Sequence, residues 1–449
     1  MARRETIAAI ATPPGKGAIA VVRVSGPEVP ELARRLVRTT SPLRARVATY
    51  STILDERGET LDRGLAILFP EPHSYTGEAM LELQIHGSPV AAREVVRALL
   101  ACGARLAQPG EFTRRAFLNG KMDLGAAAAV ADVIDAETRS SMRAALANLG
   151  GGLADEVRRL RATLSRVLEE LAGAIDFPEE VPEPDRGELA RRLAPLRAGL
   201  ERLVHDGELG RLVREGISVA IVGPPNAGKS SLLNALLGTE RAIVSEVSGT
   251  TRDTIEEAVS VDGVPVRLVD TAGIREHADR LEAAGIERTR RALEAARIAL
   301  VVVDGSQPLT PDAQALLERT RDRERILFFN KADLGTRGAS AWKGGTAIVG
   351  SVRDERTLDA LLRAIAEVGW GGETLDLARP HVASLHEFDA VNAAIDAFAS
   401  ACGTLETDAP LDFVTTDLQR AFSALGHVSE QVAAEEVLDG VFSRFCIGK

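Results

Sequence analysis

Near the start of the chain, four short stretches place apolar residues at strand-like intervals: TIAAIA (6–11), AIAVVRVSG (18–26), GLAILFP (64–70) and AMLELQIHG (79–87). Each is bounded by Gly, Pro or polar turn residues, which predicts strands. SPVAAREVVRALLACG (88–103) switches to a helical period, opening on Ser-Pro and closing at Gly103, and predicts one helix. Residues 1–118 therefore read as an α+β domain. From 119 to 212 the pattern is helical and rich in Ala, Leu, Arg and Glu, with a break at DFPEEVPEPD (176–185). Residues 213–372 alternate continuous apolar runs with helical stretches, the pattern of a parallel nucleotide-binding sheet. After WGGE (370–373) the helical pattern resumes and runs through 373–449. The two helical stretches are predicted to form one domain, split by insertion of 213–372. Such insertions are tolerated because domain termini often lie close together.

Composition narrows the class. At 449 residues the chain has room for about three domains. It has no apolar run of about 18 residues, the length that spans a bilayer, and its first residues, MARRETIAAIATPPG, have too short an apolar centre for a secretion signal. Cys102, Cys402 and Cys446 are too scattered for a disulfide framework or a zinc site, so a reducing cytoplasm is the expected location. The net charge of −11 argues against non-specific nucleic-acid binding, although a local Arg patch could still engage RNA. Of 54 basic residues only six are lysines: Lys16, Lys121, Lys229, Lys331, Lys343 and Lys449. Where Arg is the default cation, a retained lysine marks a place for a compact ammonium. Two of the six fall in nucleotide motifs; Lys121 and Lys449 become suspects for a second site, and Lys16 a weaker one.

Three motifs carry the chemistry. ISVAIV (217–222) reads as a buried strand, GPPNAGKSS (223–231) as a phosphate loop and SLLNALL as the helix after it. The glycines let backbone N–H groups of Asn226, Ala227, Gly228 and the residues that follow approach phosphate, and the helix start adds a favourable dipole. Lys229 is expected to reach the β- and γ-phosphates, Ser230 to ligate Mg²⁺, and Ser231 to line the same turn. A second apolar run, opened by the Asp262–Gly263 turn, ends in DTAG, placing Asp270, Thr271, Ala272 and Gly273 at the magnesium and γ-phosphate. A third ends in NKAD: Asn330, Lys331, Ala332 and Asp333. The Asp333 carboxylate can accept both donors on the guanine edge, a pattern adenine cannot present. The three together predict a chain that binds and hydrolyses GTP.

Other signatures reach beyond the GTPase motifs. TIAAIATPPGKGAIAVVRVSG, HSYTGE, LELQIHG, QPGEFTRRAFLNGKMDL, AIDFPEE, AIVSEVSGTTRDT, DTAGIRE and FSRFCIGK together resemble the MnmE/TrmE family of tRNA-modification GTPases over nearly the whole chain. The resemblance implies a multidomain α/β plus α fold. Its parts are an N-terminal α+β tetrahydrofolate-binding and dimerisation domain (1–118), a split helical domain (119–212 and 373–449, ending in the CIGK motif) and an inserted Ras-like P-loop GTPase domain (213–372). Two departures from the family pattern are Ala126 and Ala128, where Gln and Glu are usual, and Ser351–Val352 in place of Ser-Ala in the last guanine-contacting loop.

The same resemblance implies a site for 5-formyl-tetrahydrofolate, or its 5,10-methylene form, on Arg23, Glu82, Lys121 and Lys449. On the residues alone, Arg23 and Glu82 read as solvated strand-end charges and Lys449 as a frayed tail. Cys446 is open between a buried, inert thiol and a part in one-carbon chemistry. For hydrolysis the position after DTAG is Ile274, not the water-orienting Gln of Ras-like enzymes. The family implies Glu282 instead, which on the residues alone is an ordinary exposed carboxylate, and Arg252 joins it among the catalytic candidates. K⁺ is implied on Asn226, Ser245, Val247 and Thr250, with Thr251 completing the magnesium shell and Glu246, Ser248 and Gly249 in the same loop. The implied assembly is a homodimer with an FAD-containing partner, as a heterotetramer, modifying C5 of the tRNA wobble uridine with no membrane involvement. A GTPase switch without chemistry of its own, such as a ribosome-assembly factor, and a folate-dependent transferase regulated by GTP are the alternatives.

Overall fold

A computed structural model describes residues 5–239, 242–243, 257–270, 290–340, 347–372, 379–407, 409–429, 435–443 and 445–449. The chain groups into two compact units: residues 1–131, 148–201 and 383–449 in one, and residues 132–147 and 202–382 in the other.

The first unit holds a seven-stranded sheet of β1 (Ile7–Ile10), β2 (Ile19–Ser25), β3 (Val37–Arg38), β4 (Thr49–Leu54), β5 (Thr60–Phe69), β6 (Met80–His86) and β7 (Arg105–Leu106). Their spatial order is β3-β4-β5-β6-β2-β1-β7, antiparallel except for the β1–β7 pair. Side chains alternate across a strand, and β2 and β6 use this fully. Ala20, Val22, Val24, Leu81, Leu83 and Ile85 enter one core with Leu32, Leu36, Val95 and Leu99. Arg23 and Glu82, which are direct cross-strand neighbours, occupy the opposite face. The four predicted strands and the helix Pro89–Ala101, capped by Ser88, are all present. Helix Val29–Leu36 was not predicted. It is only eight residues long, yet Val29, Leu32, Ala33 and Leu36 form a complete buried stripe. Helix Glu111–Leu118 is a second addition.

Glu111 opens that helix within a charge network. Its carboxylate accepts from Arg105 Nη1 and Nη2 at 2.8 and 2.6 Å, from Arg115 Nη2 at 2.9 Å and from the Gln108 N–H at 2.9 Å. Arg115 Nη1 also donates to Glu78 at 2.9 Å. Burial works to raise the Glu111 pKa, but the guanidinium and amide donors outweigh it and hold the carboxyl at about 2.

Helices run over Leu124–Ile134, Arg139–Leu149, Gly152–Asp176 and Arg186–Glu215, then over Leu385–Leu405, Leu411–Ser429 and Glu435–Phe442. The expected break at 176–185 falls between the third and fourth of these.

The second unit is built on a sheet of β8 (Ile217–Val222), β9 (Ala242–Ile243), β10 (Glu257–Val261), β11 (Val264–Asp270), β12 (Ile298–Asp304), β13 (Arg325–Asn330) and β14 (Ile348–Val349), in the order β14-β13-β12-β8-β11-β10-β9. β11, β8, β12, β13 and β14 are parallel; β9 and β10 pair antiparallel at one side. Strands of a parallel sheet bury both faces. Val219 and Ile221 enter a core with Leu232, Phe328 and Leu361, while Ala220 and Val222 enter another with Val301, Leu317 and Phe329. Among the described residues, both sheets end on two-residue strands at each edge.

A group with a depressed folded-state pKa contributes stability above its unfolded pKa and loses it as pH falls. The Glu111 contribution is therefore expected to be complete above about pH 4.5 and to fade toward pH 2. Glu111→Gln lowers stability at pH 7 and flattens the acid limb across that window; acid titrations followed by circular dichroism would expose an unchanged limb if this is wrong.

Candidate functional site: a nucleotide centre and a polar sheet face

In an open parallel sheet, ligands gather beyond the carboxyl ends of the strands. The three motifs meet that requirement: Val222 ends β8 before the phosphate loop, Asp270 ends β11, and Asn330 ends β13. The phosphate loop turns sharply, with Asn226 at φ 60° and Gly228 at φ 98°. At Gly223 a Cβ would lie 2.1 Å from Val302 O, and at Gly228 2.3 Å from Asn330 Nδ2, so both positions require glycine. Helix Lys229–Leu237 follows at once, so the N–H groups of Lys229, Ser230 and Ser231 lie in its first turn, where intrahelical acceptors are missing. Lys229 Nζ donates to Gly223 O and Pro224 O at 3.0 and 2.9 Å, arching over the loop it belongs to. Ser230 and Ser231 are exposed.

Asn330 joins the motifs. Its buried Nδ2 donates to Ala227 O at 2.9 Å, and its Oδ1 accepts from the N–H groups of Lys331 and Val352 at 2.8 and 3.2 Å. One carboxamide thus connects the phosphate loop, the NKAD segment and the Ser351–Val352 loop. Ala332 N donates to Gly350 O at 3.0 Å and reinforces the last connection. Lys331 takes φ 63° and donates from Nζ to Asp304 Oδ2 at 2.8 Å. Burial tends to raise the Asp304 pKa, yet Lys331 and the Ser306 donors lower it overall. Asp333 keeps a partly exposed carboxylate, with Arg353 Nη1 at 3.8 Å as a loose neighbour. Asp304 and Arg353 were not predicted. Asp304 ends an apolar run, IALVVVD, as Asp270 does, and that strand-end acid was the available signal.

Of the predicted nucleotide and catalytic residues, Ser245, Glu246, Val247, Ser248, Gly249, Thr250, Thr251, Arg252, Thr271, Ala272, Gly273 and Glu282 lie outside the described residues, and only the backbone of Asp270 is described. Of the potassium and magnesium sets, Asn226 and Ser230 fall among the described residues, both at exposed positions in the phosphate loop.

The first unit carries a separate polar centre on the sheet face opposite helices Val29–Leu36 and Pro89–Ala101, beside the start of helix Glu111–Leu118. Arg23 Nε and Nη2 meet Glu82 Oε1 at 3.0 and 2.9 Å, with both side chains about one-fifth exposed. Arg23 Nη1 donates to Gly448 O at 3.4 Å. Its guanidinium carbon stands 5.6 Å from the centre of the Tyr75 ring and 5.8 Å from that of Phe112. Burial raises the Tyr75 pKa, opposed by its Thr113 hydrogen bond and by Arg23.

The 445–449 tail is fixed here. Phe445 packs with Phe117, Leu438 and Phe442, Ile447 bridges Pro109, and Phe112 N donates to Lys449 O at 3.1 Å. Gly448, at φ 102°, leaves no room for a side chain: a Cβ would sit 2.3 Å from Ile10 O. The tail is thus built into the fold and not frayed. Cys446 on it is exposed, which removes the buried-thiol reading. Lys121 Nζ donates to Pro72 O at 3.3 Å, and its stem lines Gly77. The structure therefore gathers Arg23, Glu82 and the Lys449 backbone, and places Lys121 on the adjoining 72–77 loop. Tyr75 and Phe112 were not predicted as site residues, although both lie inside signature stretches. The donor set suits a pterin: one carboxylate for a 2-amino-4-oxo edge, aromatic rings beside it, and lysines within the surrounding segments.

Among the described residues no helix is long and apolar enough to cross a membrane. Comparison with known proteins covers nearly the whole chain. Residues 6–121 match the family described as GTP-binding protein TrmE N-terminus, and residues 124–446 match the MnmE helical domain. A tRNA modification GTPase MnmE from Chloroflexus aurantiacus is 43% identical over 452 residues, covering 99% of this chain and 100% of the relative. Its counterpart from Aquifex aeolicus is 39% identical over 450 residues, covering 99% and 100%. A solved structure of Era in complex with MgGDPNP and 16S ribosomal RNA is 26% identical over 40% of this chain and 66% of that one, with a TM-score of 0.28, too low to bear on the assignment.

Replacing Asn330 with Ala strips three hydrogen bonds and leaves the buried Ala227 carbonyl unpaired. Each buried unpaired group costs about 1–3 kcal/mol. Affinity for guanine nucleotides is expected to fall about 10- to 100-fold in fluorescence titrations with labelled GDP; parent-like affinity would show that the carboxamide does not organise the site.

Proposed function

This chain belongs to the MnmE family of tRNA modification GTPases, and from that premise we propose that it couples GTP hydrolysis to a one-carbon modification at C5 of the tRNA wobble uridine. The observation that supports a guanine-nucleotide centre most directly is the Asn330 carboxamide, which ties the phosphate loop to the base-reading loop. On this reading Asp333 accepts from the guanine edge, and Ser351 and Val352 close over it. Lys229 exchanges the carbonyls of Gly223 and Pro224 for the β- and γ-phosphates. Ser230 and Thr251 would hold Mg²⁺, with Asp270 on it through water, and Thr271, Ala272 and Gly273 complete the GTP-binding set. Asn226, with Ser245, Val247 and Thr250, would hold a K⁺ ion, which would supply positive charge beside the phosphates. Glu246, Ser248 and Gly249 belong to the same GTP-binding set, and Glu282 and Arg252 assist attack by water.

The second centre is read as the folate site of residues 1–118. Glu82 grips the pterin edge, Arg23 keeps that carboxylate aimed, and Lys121 and Lys449 meet the glutamate tail. A bound folate would supply the carbon. Cys446, exposed on the tail whose Gly448 carbonyl accepts from Arg23, is read as a participant in the one-carbon chemistry. The split helical domain (119–212 and 373–449) carries the inserted GTPase domain (213–372). The working unit is a cytoplasmic homodimer joined by an FAD-containing partner. A switch without chemistry of its own gives no reason for the Arg23–Glu82 pair and the 445–449 tail to be gathered on one polar face.

Mass spectrometry of wobble uridines from a deletion strain tests the main claim: loss of the C5 substituent is expected, and intact modification would end it. GTP turnover is expected to be faster in K⁺ than in Na⁺; equal rates in the two salts would remove the potassium assignment. Asp333→Asn is expected to weaken GTP binding about 10- to 100-fold, and equal affinity would remove the base-reading role.

A further inference from the structure

The β10–β11 hairpin turns at Asp262 (φ 50°) and Gly263 (φ 88°), a pair of left-handed residues as a tight two-residue hairpin demands. That turn is clasped by the start of helix Arg139–Leu149. Thr138 Oγ1 donates to Gly263 O at 2.9 Å and also accepts from Ser141 N at 3.0 Å. Ser140 sits so close that a Cβ on Gly263 would lie 1.9 Å from its Oγ. Glu137 lies 3.6 Å from Arg267, farther along β11. Residues 132–147 and the hairpin belong to the same compact unit.

Two facts make this contact more than local packing. β11 is a seven-residue strand held between β8 and β10, so it acts as a stiff rod about 20 Å long. One end is the clasped turn; the other is Asp270, the first residue of DTAG. The clasp itself has no slack, because a backbone carbonyl, a glycine and a hydroxyl meet without a flexible side chain between them. The helix that begins at the clasp runs along the chain through Gly150 and Gly151 into the 25-residue helix Gly152–Asp176.

We propose that Thr138 and Gly263 form a joint through which a displacement at the nucleotide end of β11 is carried to helix Arg139–Leu149. This rests on the reading above that GTP turnover serves tRNA modification. Thr138 and Gly263 are positioning residues, set at the end of β11 opposite Asp270. Their loss should uncouple the two activities without impairing hydrolysis.

The test compares full-length parent, Thr138→Val and Gly263→Ala with two controls. Thr138→Ser keeps the hydroxyl, and Ser141→Ala removes the reciprocal helix cap while keeping the Thr138–Gly263 bond. Basal GTPase kcat and KM are expected to stay at parent values in all variants. Wobble-uridine modification with the FAD-containing partner should fall about tenfold or more in Thr138→Val and Gly263→Ala, within the range of couplings between distant sites. It should be normal in Thr138→Ser and Ser141→Ala. Independently of tRNA, hydrogen exchange of the 139–149 amides should change when GDP is replaced by a non-hydrolysable GTP analogue in the parent, and not in Thr138→Val. Undiminished modification in Thr138→Val and Gly263→Ala, a parallel fall in basal GTPase, or a nucleotide response that survives in Thr138→Val would each overturn the joint. A parent protein that hydrolyses GTP yet modifies no tRNA would instead sink the functional reading, and the exchange experiment would still judge the joint.

Discussion

The nucleotide centre depends on one buried carboxamide. Asn330 is placed at the end of β13 by a strand whose Phe328 and Phe329 fill the cores on either side of the sheet. Because those two aromatics are locked, the amide at the strand end has a fixed origin. From there it reaches Ala227, Lys331 and Val352, residues drawn from three separate loops. Loops are ordinarily the mobile part of such a fold. Here the mutual positions of the phosphate loop, the NKAD segment and the Ser351–Val352 loop are inherited from the packed sheet.

A parallel logic operates on the polar sheet face. Arg23 and Glu82 are partners because β2 and β6 pair in one particular register, and a one-residue slip would send both into the apolar core. The register is therefore enforced by Val22, Val24, Leu81 and Leu83, residues with no chemistry of their own. The tail then reaches the pair through Gly448, whose lack of a side chain lets it pass beside Ile10. Hydrophobic patterning sets the polar geometry in both centres.

Much of the architecture was legible because each predicted strand had a clean period and each predicted helix had punctuation. Ser88 and Gly103 bracket one helix, and the Pro-rich 176–185 break separates two others. What escaped was short or long-range. Helix Val29–Leu36 spans barely two turns, and β3 and β7 have two residues each, too few to show a period. The motifs announced the nucleotide residues, but not that Asn330 spends its amide on Ala227, a bond between positions 103 residues apart. The scarcity of lysine pointed to Lys121 and Lys449, while the structure assigns the tight contact at position 449 to its backbone carbonyl and not to its ammonium. Composition can nominate a residue; it cannot say which of its atoms does the work.

The two-residue border strands have a consequence for association. An exposed sheet edge offers a row of unpaired amides on which another chain can template itself, and brevity is one of the ways proteins blunt that hazard. Among the described residues the four borders are β3, β7, β9 and β14, each two residues long, which leaves little ladder for another strand to join. Among the described residues that edge design favours association through side-chain surfaces over ladder extension.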